Sequence, residues 1–152
     1  LREVIEVGDA VLADAARNAL AKLAASLPDR LSRQMQNSVL SAKRFHARPT
    51  ISIDVSVLRM AARNEQAVHI YYADAKGAQT DRTIWPLSLV FMDQTLMLLA
   101  KCQMRQGFRA FRADRITQLE TTDQSFRPHR TSLLRDFLAE LQAHDSAEQA
   151  KK

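Results

Sequence analysis

One cysteine is too few for an intrachain disulfide. Cys102 therefore excludes a disulfide-stapled scaffold and suits a reducing cytoplasm. Three glycines and four prolines in 152 residues are too few for a collagen-like or linker-rich chain. The longest apolar run, LMLLA at 96–100, is too short to span a bilayer, so no membrane association is expected. No basic segment followed by an apolar stretch opens the chain as in a signal peptide. Catalytic signatures are missing too. There is no GxSxG, no P-loop and no GxGxxG, so neither a nucleophile elbow nor a phosphate-cradling loop is expected. The four histidines (His46, His69, His129, His144) are scattered, with no i, i+4 pair and no cysteine at metal-ligand spacing. No catalytic residue, metal or cofactor is expected, and the chain is not read as an enzyme.

What is present is ordinary globular composition, 46% hydrophobic and 26% charged, enough for one core. The net charge of +5 is unevenly spread. Residues 1–49 carry eight basic and five acidic groups, and residues 50–100 carry four and five. Residues 101–115 hold Lys101, Arg105, Arg109, Arg112 and Arg115 against Asp114 alone. A local cationic cluster raises the potential at one place and draws anions there. The chain begins at Leu1, not Met, and is read as a piece of a longer protein.

The hydrophobic pattern changes along the chain. Val11, Leu12, Ala15, Ala16, Ala19, Leu20, Leu23 and Leu27 recur at spacings of three and four, which predicts an amphipathic helix. Pro28 ends it, and a second helix is expected at 29–44. A third is expected at 55–64, capped by Asp54 or Ser56. Five short strands follow, at 66–74, 80–91, 95–103, around RAF at 109–111, and at 116–123. Leu133, Leu134, Phe137, Leu138 and Leu141 predict a last helix at 131–143. The tail HDSAEQAKK lacks apolar anchors and is expected to be disordered. Helices, then strands, then a helix indicate an α+β protein, with a small barrel or sandwich in the middle.

The densest signal is RQGFRAFRADRI, residues 105–116. Gly107 and the alternating aromatics argue against a helix, so a strand end and a tight turn are expected. Phe108, Phe111 and Ile116 would anchor that backbone, and the guanidinium groups would project from rigid positions. Rigidly mounted arginine binds phosphate or carboxylate with less entropy to lose. A solvated charged face is the alternative. Arg115 could pair with Asp114 or with Asp81. Two other residues invite functional readings and have plainer ones. His69 reads as a half-exposed strand residue and Cys102 as a buried, inert thiol.

Residues 65–123 resemble the WYL domain of bacterial transcriptional regulators. The resemblance rests on Tyr72, Asp74 and Gly77; on Arg82, Pro86 and Leu87; on Leu96, Met97, Leu98 and Ala100; and on Arg109, Phe111, Arg112, Asp114, Arg115 and Ile116. The last block is the most specific. Leu96-Met97 stands where the family has Trp-Tyr, so any aromatic contact made there is lost while the apolar character is kept. The resemblance implies an Sm-like, SH3-type barrel of five strands at 65–123. A helical linker or dimerisation region would occupy 1–64, and a C-terminal helix and tail 124–152. It also implies a winged helix-turn-helix before Leu1 that would contact operator DNA. It further implies a sensor for an anionic effector, a nucleotide or single-stranded nucleic acid. On this reading Tyr72, Arg82, Lys101, Arg105, Arg109 and Arg112 bind the ligand on one face, and Asp114 and Arg115 are structural.

Two rival readings share these residues. One is a direct single-stranded nucleic-acid binder, with Tyr72, Phe108 or Trp85 stacking a base. The other is a dimerisation domain whose arginines form interface ion pairs. A homodimer is expected on either view, because three N-terminal helices cannot all bury their Ala/Leu stripe on a barrel of this size.

Overall fold

The computed structural model describes residues 4–5, 10–31, 49–92 and 95–149. The chain forms two units, residues 1–47 and 48–152. The first contains α1 (Ala10–Ser26), with Ala13 and Ala16 buried and Val11 and Leu23 exposed. The helix expected at 29–44 lies mostly outside the described residues.

The second unit is built on a sheet. Helix α2 (Val55–Asn64) begins at Asp54, whose carboxylate accepts a hydrogen bond from Ser56 N at 2.9 Å. Such a cap satisfies one of the amides that no helical carbonyl can reach. The helix ends at Glu65, in the left-handed region at φ 54°. Strands β1 (Gln66–Ala73), β2 (Gln79–Met92), β3 (Thr95–Cys102), β4 (Gly107–Arg112) and β5 (Ile116–Ser125) follow. A 3-10 turn, Ala113–Arg115, joins β4 to β5, and α3 (Arg130–Gln149) closes the unit.

The first hairpin explains one of the sequence motifs. Asp74 accepts bonds from Lys76 N and Ala78 N at 2.8 and 2.9 Å, and Gly77 sits at φ 82°. Asp fixes such a turn through its side chain, and glycine takes positive φ without strain. Asp74 and Gly77 are thus turn residues.

All ladders are antiparallel, in the order β4-β3-β2-β1-β5. The described ladders do not join β4 to β5, so the sheet is open rather than a closed barrel. The link between these two strands is a three-residue 3-10 turn. It forces the edges together at one end. Four Cα steps from Arg112 to Ile116 span at most about 15 Å, whereas five flat strands would set their edges about 19 Å apart. The sheet therefore curls. Tyr72 on β1 and Phe111 on β4 are not on neighbouring strands, yet their rings meet edge to face at 5.2 Å.

The curl defines two faces. The inner face buries Val68, Ile70, Ile84, Leu98, Ala100, Cys102, Phe111 and Ile116, drawn from all five strands, beneath Leu58 and Ala61 of α2. The outer face buries Leu87 and Leu99 against Phe126 and Phe137, with Trp85, Phe108, Leu133, Leu134 and Leu141 around them. Phe108 stacks on Phe137 at 5.0 Å. Arg130 ties α3 down through its guanidinium to Leu87 O (3.2 Å) and through its amide to Glu65 Oε2 (3.1 Å). Helix α3 runs to Gln149, beyond the expected end at 143. Ala, Glu and Gln favour helix without an apolar anchor, so the tail expected to be disordered from His144 is helical through Gln149.

Candidate functional site

Residues opposite one another in an antiparallel ladder share a face. Arg82 pairs with Ile70, and Tyr72 with Thr80. Both pairs therefore lie on the inner face, towards its end. Arg82 Nε donates to Thr80 Oγ1 at 3.0 Å, and that hydroxyl donates to Tyr72 O at 3.4 Å. This short chain fixes the guanidinium at the rim. Arg109 pairs with Ala100 and so also belongs to the inner face, where it is exposed on edge strand β4. Among the described residues Arg109, Arg105 and Arg115 make no ion pair. Arg105 lies exposed in the β3–β4 turn. Gln103 N, in the same turn, donates to Thr83 O at 3.2 Å, which places the turn beside the Arg82 end of β2.

The other expected ligands divide differently. Lys101 pairs with Trp85 and Phe108, which puts it on the outer face. Its ammonium lies 5.5 Å from the centre of the Trp85 ring. Arg112, opposite Met97, ends β4. Its Nε and Nη2 donate to the two oxygens of Asp114 at 3.1 and 2.9 Å. This bidentate bond holds the Asp114 carboxyl below its ordinary pKa, and Arg115 adds a weaker pull in the same direction. The same bond raises the Arg112 pKa, with the nearby Tyr72 contributing less. The partner of Asp114 is thus Arg112, which the sequence reading placed in the ligand set, while Arg115 touches Asp114 only through its field. The six expected ligands do not share one face. Tyr72, Arg82 and Arg109 do, Arg105 stands at the turn beside them, and Lys101 lies on the reverse side.

Some contributors are silent in the sequence. Thr80 links Arg82 to Tyr72, and only its i, i+2 spacing on a strand hints at the shared face. Gln103 and Gln106 join Lys101 and Trp85 around a cleft of about 370 Å³. Neither glutamine carries a pattern. Cys102 is fully buried. Among the described residues, no group of three His, Cys, Asp or Glu could hold a metal ion, and no helix is long and apolar enough to cross a membrane.

The site thus rests on a curled five-stranded sheet with α2 over its inner face and arginines at its rim and turn. Residues 54–121 match the WYL domain family. The match spans rather less than half of the chain and takes in α2 from its capping residue onward. A solved structure similar to it is the proteasome accessory factor B/C (PafBC) of Arthrobacter aurescens, at 24% identity and a TM-score of 0.49. That likeness covers 66% of this chain, and the chain spans 15% of the neighbour's length.

Proposed function

We propose that this chain is the effector-sensing part of a bacterial DNA-binding transcriptional regulator. Tyr72, Arg82, Arg105 and Arg109 hold an anionic effector, a nucleotide or a short single strand, at the rim of the inner face. The observation that carries this reading is the placement of Arg82 and Arg109 on one face. Arg82 is braced through Thr80, and Arg109 is exposed without an ion pair among the described residues. Braced and unpaired guanidinium groups are available for phosphate at little entropic cost. Operator DNA would be bound by a module preceding Leu1, and effector occupancy would be passed to it.

A titration with a labelled single strand at several salt concentrations tests the reading. Three arginine–phosphate contacts predict a log–log slope of about −2. Arg109→Ala is expected to weaken binding about tenfold or more, the worth of one charge-assisted hydrogen bond. Salt-independent binding, or binding indifferent to Arg109→Ala and Arg82→Ala together, would exclude the arginine rim as the effector site.

A second reading, homodimerisation through the N-terminal helices, is favoured by one observation. Val11 and Leu23 of α1 remain exposed, at 63% and 50%. An isologous contact is the commonest cover for such a stripe. Light scattering at tens of micromolar should report a dimer, and a monomer would exclude it.

A further inference from the structure

The cleft at the end of β3 and the β3–β4 turn is a separate feature. Trp85, Lys101, Cys102, Gln103 and Gln106 line it. Of these, only Lys101 belonged to the expected ligand set, and it faces away from Arg82 and Arg109. We propose that this cleft is a second binding site, for a small planar anion: a flat apolar body carrying a carboxylate or phosphate.

Four observations point the same way. The Trp85 indole is immobilised by stacking on Phe126, with ring centres 5.3 Å apart and planes 7° from parallel. The braced indole supplies an apolar part of the cleft wall, with little rotamer freedom left to lose. The Lys101 ammonium stands over that ring and makes no ion pair among the described residues. It brings a positive charge to the apolar wall, as an anionic flat molecule requires. Gln103 donates through Nε2 to Gln124 Oε1 at 3.4 Å, which leaves its own carbonyl oxygen and its second N–H available at the cleft. Finally, Gln106 holds φ 52° in the β3–β4 turn, where glycine is the ordinary occupant. A residue other than glycine in that region is strained, and strain of this kind persists where the side chain has a use. An amide at the cleft wall is such a use.

The chain has a single tryptophan, and it lines this cleft, so its fluorescence reports on binding there. The full 152-residue chain would be titrated with adenosine 5′-monophosphate, benzoate and inorganic phosphate, with emission excited at the red edge of the indole band. Saturable quenching by one or both planar anions, with none by phosphate, is expected. Quenching by the monophosphate alone would assign the charge to a phosphate, and quenching by benzoate to a carboxylate. Lys101→Met should weaken the response about tenfold. Gln106→Gly should weaken it too while leaving thermal stability unchanged or raised, an outcome that a merely structural turn residue would not give. This second variant keeps the test decisive if Lys101→Met fails to fold. Arg109→Ala should leave the titration unaltered, which separates this site from the rim. No saturation by either planar anion up to about 10 mM, a concentration that would register even the weakest specific site, would overturn the proposal. So would quenching that survives both cleft substitutions, or quenching that Arg109→Ala alone removes.

Discussion

The two faces of the curled sheet bury similar side chains and treat charge in opposite ways. The inner face closes over an apolar cluster from five strands and a helix, and its cations stand at the rim: Arg82 braced by a hydroxyl, Arg109 unpaired among the described residues. On the outer face the Lys101 ammonium is instead laid against an aromatic ring. Between them, at the β4–β5 corner, Arg112 is consumed by Asp114. Arginines three residues apart thus do different work. Strand alternation and the corner decide which is structural, and residue type does not.

Breaking either face should cost most. Phe137→Ala is expected to lower stability by about 3–5 kcal/mol and Leu58→Ala by about 2–5 kcal/mol, as for large buried side chains. The two should differ in pattern. Hydrogen exchange after Leu58→Ala should rise across all five strands, because the inner cluster draws on each. After Phe137→Ala it should rise chiefly in α3 and leave β1 protected. Equal loss of β1 protection in both variants would erase the distinction between the faces.

The corner should come next. Asp114 is 13% exposed and bonded to Arg112, so Asp114→Asn is expected to cost about 1–2 kcal/mol. That is a charge-assisted bond reduced for the partly open arginine. The folded-state pKa of Asp114 is depressed. Its contribution is therefore present above the ordinary aspartate value of about 3.9 and is lost as pH falls through the lower folded value. Melting curves of wild type and Asp114→Asn should run apart from pH 7 to 5 and converge in stronger acid. Curves that stay apart in acid would show that the residue acts through packing.

A smaller effect is expected at the joint between the layers. Glu65 lies in the left-handed region, and its carboxylate accepts from the first amide of α3. Glu65→Gly relieves the backbone and removes the cap, effects of about 1 kcal/mol each and opposite sign. Glu65→Ala keeps the strain and removes the cap, so urea denaturation should find it the less stable of the two. The smallest effect belongs to Arg109→Ala, within about 0.5 kcal/mol of wild type. A larger loss would mean that Arg109, like Arg112, is structural.

The element order was legible because its signals are local. Asp54 marks the start of α2, Gly77 and Asp74 the first hairpin, and the β-branched and aromatic runs the strands. The arginine-rich segment could be recognised as a strand end and turn because Gly107 and alternating phenylalanines are incompatible with a helical face. Which arginine meets Asp114 could not be read, since neighbours on both sides compete for it and the 3-10 turn settles the geometry. Nor could the cleft be read, because Trp85, Lys101 and Gln106 come from β2, β3 and the turn that follows it.

By itself, then, the sequence determined an α+β chain, a concentration of positive charge at 101–115 and the absence of any intrachain disulfide framework. Those properties depend on composition and on periods of two and 3.6 residues, which act within a few positions of each residue. The tertiary structure alone decided that the sheet curls without closing, that Tyr72 reaches Phe111, and that Lys101 faces away from Arg109. Such outcomes depend on ladder register and strand order. One step in register exchanges the faces of every side chain on a strand, and no local signal carries that information.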